Sequence, residues 1–346
     1  MKLVTAVLPA FLLACAGAPP PEPRVPAPER HRALLVRDGA LFVQARMPRV
    51  REAMPMLGEA VRLAAISVTP GAGCLVDLLW SADLVSAVLS TGGRIERPTS
   101  GGALLEDSAV PPERVDAWVD CFLSGLGSGR VETSFPAADD SAVRFVVGTG
   151  AASDVGVGSS GPGSYAVVVS EPFDRWAGAL AASSVERRSR AVVAGADLVT
   201  DADIVLLWPD PPAAALLLGA ASAGLASAPP PVEILGMTAG LWLGDRPRTA
   251  VFFPARGPEA AAMLAEAMRT ALTVLQLAGT VVAAQLGAAH GRDVQARAER
   301  VVELLKRADV RVTGAAARVR VDLSVEDLEL VQDLLTALAG RGFDVP

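Results

Sequence analysis

Two histidines, three cysteines and scattered carboxylates hold most of the acid–base, nucleophilic and metal chemistry open to this chain. Gly156, Gly158 and Gly161 satisfy G-x-G-x-x-G, a pattern that cradles a pyrophosphate when a strand precedes it and a helix follows. Here Pro162, Gly163 and a β-prone run from Tyr165 to Val169 follow, so residues 148–164 read as a flexible glycine-serine hairpin loop. No Gly-Lys-Ser/Thr occurs, which excludes a Walker P-loop. A serine hydrolase needs a base held against its nucleophile. His31 lies in a proline-rich stretch and His290 near the end of an apolar helix, where the helix dipole favours its cation. No G-x-S-x-G, H-E-x-x-H or EF-hand pattern is present. Asp139-Asp140 and Asp201/Asp203 stand in turn contexts, where aspartate caps backbone groups. Two separated carboxylates could serve a glycosidase, but an aromatic content of 4% leaves little for a sugar to stack on. The expectation is therefore no catalytic residue, no cofactor and no metal.

The cysteines say more. Met1 and Lys2 give a short positive start, and Leu3 to Ala14 is an uncharged apolar run interrupted by Pro9. That run is too short for a confident membrane span, which needs about 20 residues, and matches the core of a secretory signal. Leu12-Leu13-Ala14-Cys15 resembles the lipobox of bacterial secreted lipoproteins. The resemblance implies cleavage before Cys15, a diacylglycerol on its sulfur and an acyl chain such as palmitate on its amine. Ala16 in place of aspartate implies the outer membrane of a Gram-negative cell. Residues 1–14 are then a signal peptide, and 15–32, rich in proline, an extended tether reaching about 3 Å per residue.

Export bears on the other two cysteines. Cys74 and Cys121 form an even pair in an oxidising compartment, which reads as a disulfide. Two buried free thiols, or half of a metal site, are the alternatives, and the lack of a nearby histidine makes the metal site poor.

The elements that must position these groups are legible in part. Hydrophobic residues make up 51% of the 346 and charged residues 20%, enough for a sizeable core. The net charge of −7 is spread along the chain without a basic block, so nucleic acid is not an expected partner. Leu41 to Ala45 is β-prone, and after Pro48 the residues Val50, Met54, Leu57 and Val61 recur at helical spacing. Aligned on Asp38 and Asp201, Leu41-Phe42-Val43 falls on Ile204-Val205-Leu206 and Pro48 on Pro211, which points to internal duplication. Val115, Trp118, Val119 and Phe122 share a helix face. Val319, Val321 and Leu323 share a strand face, before Ser324 and Asp327 form a capping box for a helix whose stripe is Leu328, Val331 and Leu335. Strands are expected at Val143–Val147 and Tyr165–Ser170, and two or three more over 232–254, with turns near Thr238-Ala239-Gly240 and Asp245-Arg246-Pro247. Pro258 should start a long helix. Its uncharged stretch from Thr270 to Gly291 reads as a long buried helix rather than a span. Trp80, Trp118, Trp176, Trp208 and Trp242 read as core residues, as do Phe173 and Leu180 beside Trp176.

Strands grouped into meanders and followed by long helices predict an α+β fold. The expected form is two similar lobes, 33–195 and 196–346, each an antiparallel sheet with helices packed on one face. The body resembles uncharacterised predicted lipoproteins of high-GC bacteria, a resemblance that implies no activity. The functional expectation is a membrane-anchored envelope lipoprotein, non-enzymatic, that binds an envelope protein partner. The alternatives are a carrier of a lipid or other apolar ligand, and an envelope hydrolase with an unfamiliar site.

Overall fold

The computed structural model describes residues 41–68, 71–90, 100–106, 110–136, 142–150, 155–161, 163–169, 173–181, 195–209 and 234–339. Cys15, His31, the tether, Asp139-Asp140 and Pro211 lie outside them.

The fold is α+β. Among the described residues, twelve strands form one antiparallel sheet in the order β11-β12-β10-β9-β8-β1-β2-β3-β7-β6-β5-β4. They are β1 (Leu41–Arg46), β2 (Leu84–Ser90), β3 (Ser100–Glu106), β4 (Arg130–Pro136), β5 (Ala142–Gly148) and β6 (Val155–Gly161), then β7 (Ser164–Val169), β8 (Ile204–Trp208), β9 (Met237–Trp242), β10 (Arg248–Pro254), β11 (Asp309–Thr313) and β12 (Ala316–Asp322). The halves expected as separate lobes share this sheet, joined strand to strand where β1 pairs with β8. Val43 lies opposite Leu206, the residue the internal alignment equates with it, and the pairs Phe42–Leu207 and Gln44–Val205 exchange under the same alignment. This is the register that a two-fold relation between the two halves would require.

One face of the sheet carries most of the helices. α1 (Met47–Ala53), α2 (Leu57–Val68), α3 (Ala72–Ser81) and α4 (Pro112–Gly125) belong to the first half. α6 (Pro258–His290), α7 (Arg292–Lys306) and α8 (Val325–Ala339) belong to the second. The opposite face takes α5 (Phe173–Ala181) and a short 3₁₀ turn, Ala196–Val199, so in the first half helices lie on both faces. Strand alternation decides which core each residue joins. Phe42, Leu104, Val168, Val205, Leu207 and Phe252 point to the α5 side, where Trp176 and Leu180 close over them. Leu105, Tyr165 and Val167 point the other way, against Val115, Val119 and Phe122 of α4.

Two local expectations are corrected. The single helix read over 50–61 is two, α1 and α2, separated at Met54 to Met56. Pro55 cannot supply an interior helical N–H and disfavours helix at the residue before it. Val50 and Met54 are buried, whereas Val61 is exposed. Thr238-Ala239-Gly240 is not a turn but the middle of β9, with Thr238 fully buried; the one turn of the β9–β10 hairpin is at 243–247, as its Asp245-Arg246-Pro247 suggests. The capping box forms: the Ser324 N–H donates to Asp327 Oδ2 at 2.8 Å and the Asp327 N–H to Ser324 Oγ at 3.2 Å. In the stripe of α8, Leu328 is buried together with Leu330, while Val331 is half-buried.

Candidate functional site

The glycine motif is not a loop. Its residues form β6, between β5 and β7, and no helix N-terminus follows it. A Cβ on Gly158 would lie 2.3 Å from the Phe145 ring, and one on Gly156 2.7 Å from the Phe173 ring. Phe145 and Phe173 stand 5.2 Å apart, centroid to centroid, and Phe135 meets Phe145 edge-on at 5.6 Å. The alternating glycines thus clear a seat for an aromatic cluster. Glycine is depleted in strands because it packs nothing, which is why the pattern reads as a loop. Here the missing side chains are replaced by rings from the neighbouring strand and from α5.

Cys74 of α3 and Cys121 of α4 stand at disulfide distance, with Cα atoms 6.1 Å apart, and so tie two neighbouring helices over the first half of the sheet. Gly71, just before α3, has φ +81° and lies against the Phe122 carbonyl, which brings the start of α3 close to α4.

The remaining chemical candidates are dispersed. His290 is the last residue of α6. Asp201 is exposed, and Asp203 spends its Oδ2 on the Leu243 N–H at 2.8 Å, a turn-capping role. Among the described residues no group of three or more histidine, cysteine, aspartate or glutamate side chains gathers at metal-binding distance. Trp176 and Trp208 are buried, and Trp80, Trp118 and Trp242 pack against core clusters.

Sequence reasoning missed a set of buried polar side chains. Gln44 and Ser86, directly opposite on β1 and β2, are hydrogen-bonded at 2.9 Å from Nε2 to Oγ. Glu106, at the end of β3 and 3% exposed, accepts from Ser164 Oγ at 2.7 Å. The Tyr165 hydroxyl donates to the Val110 carbonyl at 3.2 Å, and burial raises its pKa above the usual tyrosine value. The signal was available for Gln44, which sits at the same parity as Phe42 and must therefore point into the core. Such pairs fix strand register, because a slip by one residue would leave each partner buried alone.

The most conspicuous surface feature is α6. The stretch from Thr270 to Gly291 is helical as far as His290 but not buried: only 11% of the most apolar eighteen-residue window of α6 is covered. The expectation of a buried helix is therefore corrected, and geometry gives the reason. Thirty-three residues make a helix about 50 Å long. Its first half rests on β10, β11 and β12 through Ala261, Leu264, Ala265, Met268 and Leu272. Beyond Leu272 the sheet no longer supports it, and α7 folds back along one side. Gly279 and Gly287 permit that approach, since Cβ atoms there would strike Val302 and Gln295. The seam Leu264, Met268 and Ala271 continues at the same spacing as Leu275, Ala278 and Val282, now bare. Beside it Leu277 is 67% and Val281 58% exposed.

No protein-family model matches the chain, and no curated protein matches it. Among solved structures, crystal form I of TP0453 is similar at a TM-score of 0.40 and 8% identity, over 86% of this chain and 94% of that one.

Proposed function

We propose that this chain is a lipid-anchored protein of the bacterial cell envelope, held at the outer membrane through Cys15, with a body that serves as a non-enzymatic binding module for an envelope partner. The observation that carries the reading is the Cys74–Cys121 pair at disulfide distance. Bonds of this kind persist in oxidising compartments and are rare in the cytosol. The pair therefore supports export independently of the lipobox, which supplies the anchor. A proline-rich tether of the length seen in 16–32 would hold the body up to about 50 Å from the bilayer.

Growth with an alkyne analogue of palmitate tests it. The protein should be labelled in the outer-membrane fraction, and Cys15→Ala should abolish the label. An unlabelled wild type, or label that survives Cys15→Ala, would refute the reading.

A further inference from the structure

We propose that the bare face of α6, centred on Leu275, Leu277, Val281 and Val282, docks onto the surface of a lipid bilayer. This goes beyond the anchor: it is a second contact, made by the folded body, and does not depend on Cys15.

Three observations support a lipid occupant. First, no formal charge occurs from Thr270 to Ala289, and four large apolar side chains stand exposed between 41% and 67% on one side of the helix. An apolar face of this extent is unusual on a soluble surface and marks an interaction site. Second, the polar groups of the stretch, the exposed Gln285 apart, are spent within the protein. The hydroxyls of Thr270, Thr273 and Thr280 donate back to the carbonyls of Glu266, Arg269 and Leu277 at 3.4, 3.2 and 2.6 Å. The Gln276 amide donates to the Leu305 carbonyl of α7 at 3.1 Å. Hydrocarbon demands that such groups find internal partners, because it offers none. Third, the hairpin is two-sided. α7 covers one flank of α6 with Val294, Ala298 and Val302 and turns Arg292, Asp293, Glu299, Arg300 and Glu303 outward to water. A helix that is apolar on one side and backed by a charged partner lies in the interface plane rather than across the membrane.

A second copy of the chain is the rival occupant. Protein interfaces carry a polar rim, and paired helices take their register from flanking charges. The bare stretch carries no charge of its own to set such a register, and a bilayer needs none.

The test uses the mature chain from Cys15 onward with Cys15→Ser, so that no acyl chain contributes. Vesicles of equal parts phosphatidylethanolamine and phosphatidylglycerol should carry it upward in a flotation gradient, and the pair Leu277→Glu with Val281→Glu should weaken binding about tenfold or more. Val131→Glu, at an exposed apolar residue on the edge strand β4, should leave binding unchanged. Both substituted sites of the pair are exposed, so unchanged circular dichroism and melting should accompany the loss. A second variant, Val281→Trp, should have its added indole fluorescence quenched by brominated lipid. Phosphatidylcholine vesicles distinguish apolar insertion, which they should retain, from headgroup attraction alone. The proposal is overturned if the unlipidated chain stays at the bottom of the gradient, or if Leu277→Glu with Val281→Glu binds as before. It is equally overturned if the added indole of Val281→Trp is unmoved by lipid, or if the pair abolishes a dimer in a chain that never floats. Because Cys15 is absent throughout, none of these outcomes bears on the anchor.

Discussion

Gly158→Ala puts the packing role of the glycine motif to a quantitative test. The added methyl would sit 2.3, 2.4 and 2.6 Å from three atoms of the Phe145 ring, where carbon atoms prefer about 3.5–4.0 Å. Ring or strand must therefore move by more than about 1 Å. Phe145 has no exposed surface and is held by Phe135 and Phe173, so the ring has nowhere to swing. Overpacking of this kind costs about 1–3 kcal/mol. Against it stands a gain of roughly 0.5–1 kcal/mol, because alanine loses less backbone entropy in a strand than glycine. The closed site favours the upper end of the cost, leaving a net loss of about 2 kcal/mol. Urea unfolding followed by far-ultraviolet circular dichroism would read it. The decisive comparison is the same change in a Phe145→Leu background. Leucine removes the ring atoms that the methyl would meet, so Gly158→Ala should become neutral or slightly stabilising there, a coupling of at least about 1 kcal/mol. If Gly158→Ala is neutral in the wild type, or costs the same in both backgrounds, the glycines are not there to seat Phe145. A phosphate-binding role would show a third pattern: lost nucleotide binding at unchanged stability.

Other expectations are as direct. Replacing both Cys74 and Cys121 by serine frees a loop that spans a sequence separation of 47 and should lower stability by about 4 kcal/mol. Treatment of the wild type with a reductant should match it. Arg51 of α1 donates from Nη1 to the Trp80 and Ala82 carbonyls at 2.6 and 2.8 Å, closing the C-terminal end of α3, and Arg51→Ala should cost about 1–2 kcal/mol in the same assay. Asp327 has a pKa below the usual aspartate range: burial works to raise it, but hydrogen bonds from Arg307 and Ser324 outweigh burial. A depressed carboxylate stabilises the fold above its ordinary pKa, and that contribution is lost as pH falls through the folded value. Asp327→Asn should therefore cost about 1 kcal/mol near neutrality and progressively less as the pH drops below the ordinary aspartate range, read from parallel melting curves.

What could be read from sequence follows from which signals are local. Pro258 at a helix start, the Ser324–Asp327 box and the alternation in β12 are short-range chemistry, and each stands where expected. The strand β6 was hidden because Val155-Gly156-Val157-Gly158 lacks side chains whose volume is supplied from outside the strand, by Phe145 of β5 and Phe173 of α5. The exposure of α6 was hidden for a similar reason. Its apolar seam runs unbroken from Leu264 to Val282, and only the extent of the sheet beneath decides where burial stops. The single sheet also depends on a distant pairing, β1 with β8, which no local pattern announces. Among the candidate sites, the Cys74–Cys121 pair could be argued from compartment alone. Glu106 and Ser164 come together only once β3 lies beside β7.

The anchor at Cys15 is the premise from which the proposed envelope role follows, and an intact mass of the protein released from its own membranes in mild detergent tests it most directly. The expected species is a chain beginning at Cys15, heavier than its sequence by a diacylglycerol and an acyl chain and lighter by the two hydrogen atoms lost in a Cys74–Cys121 bond. A chain that retains Met1, or one that begins elsewhere and carries no lipid, would contradict it.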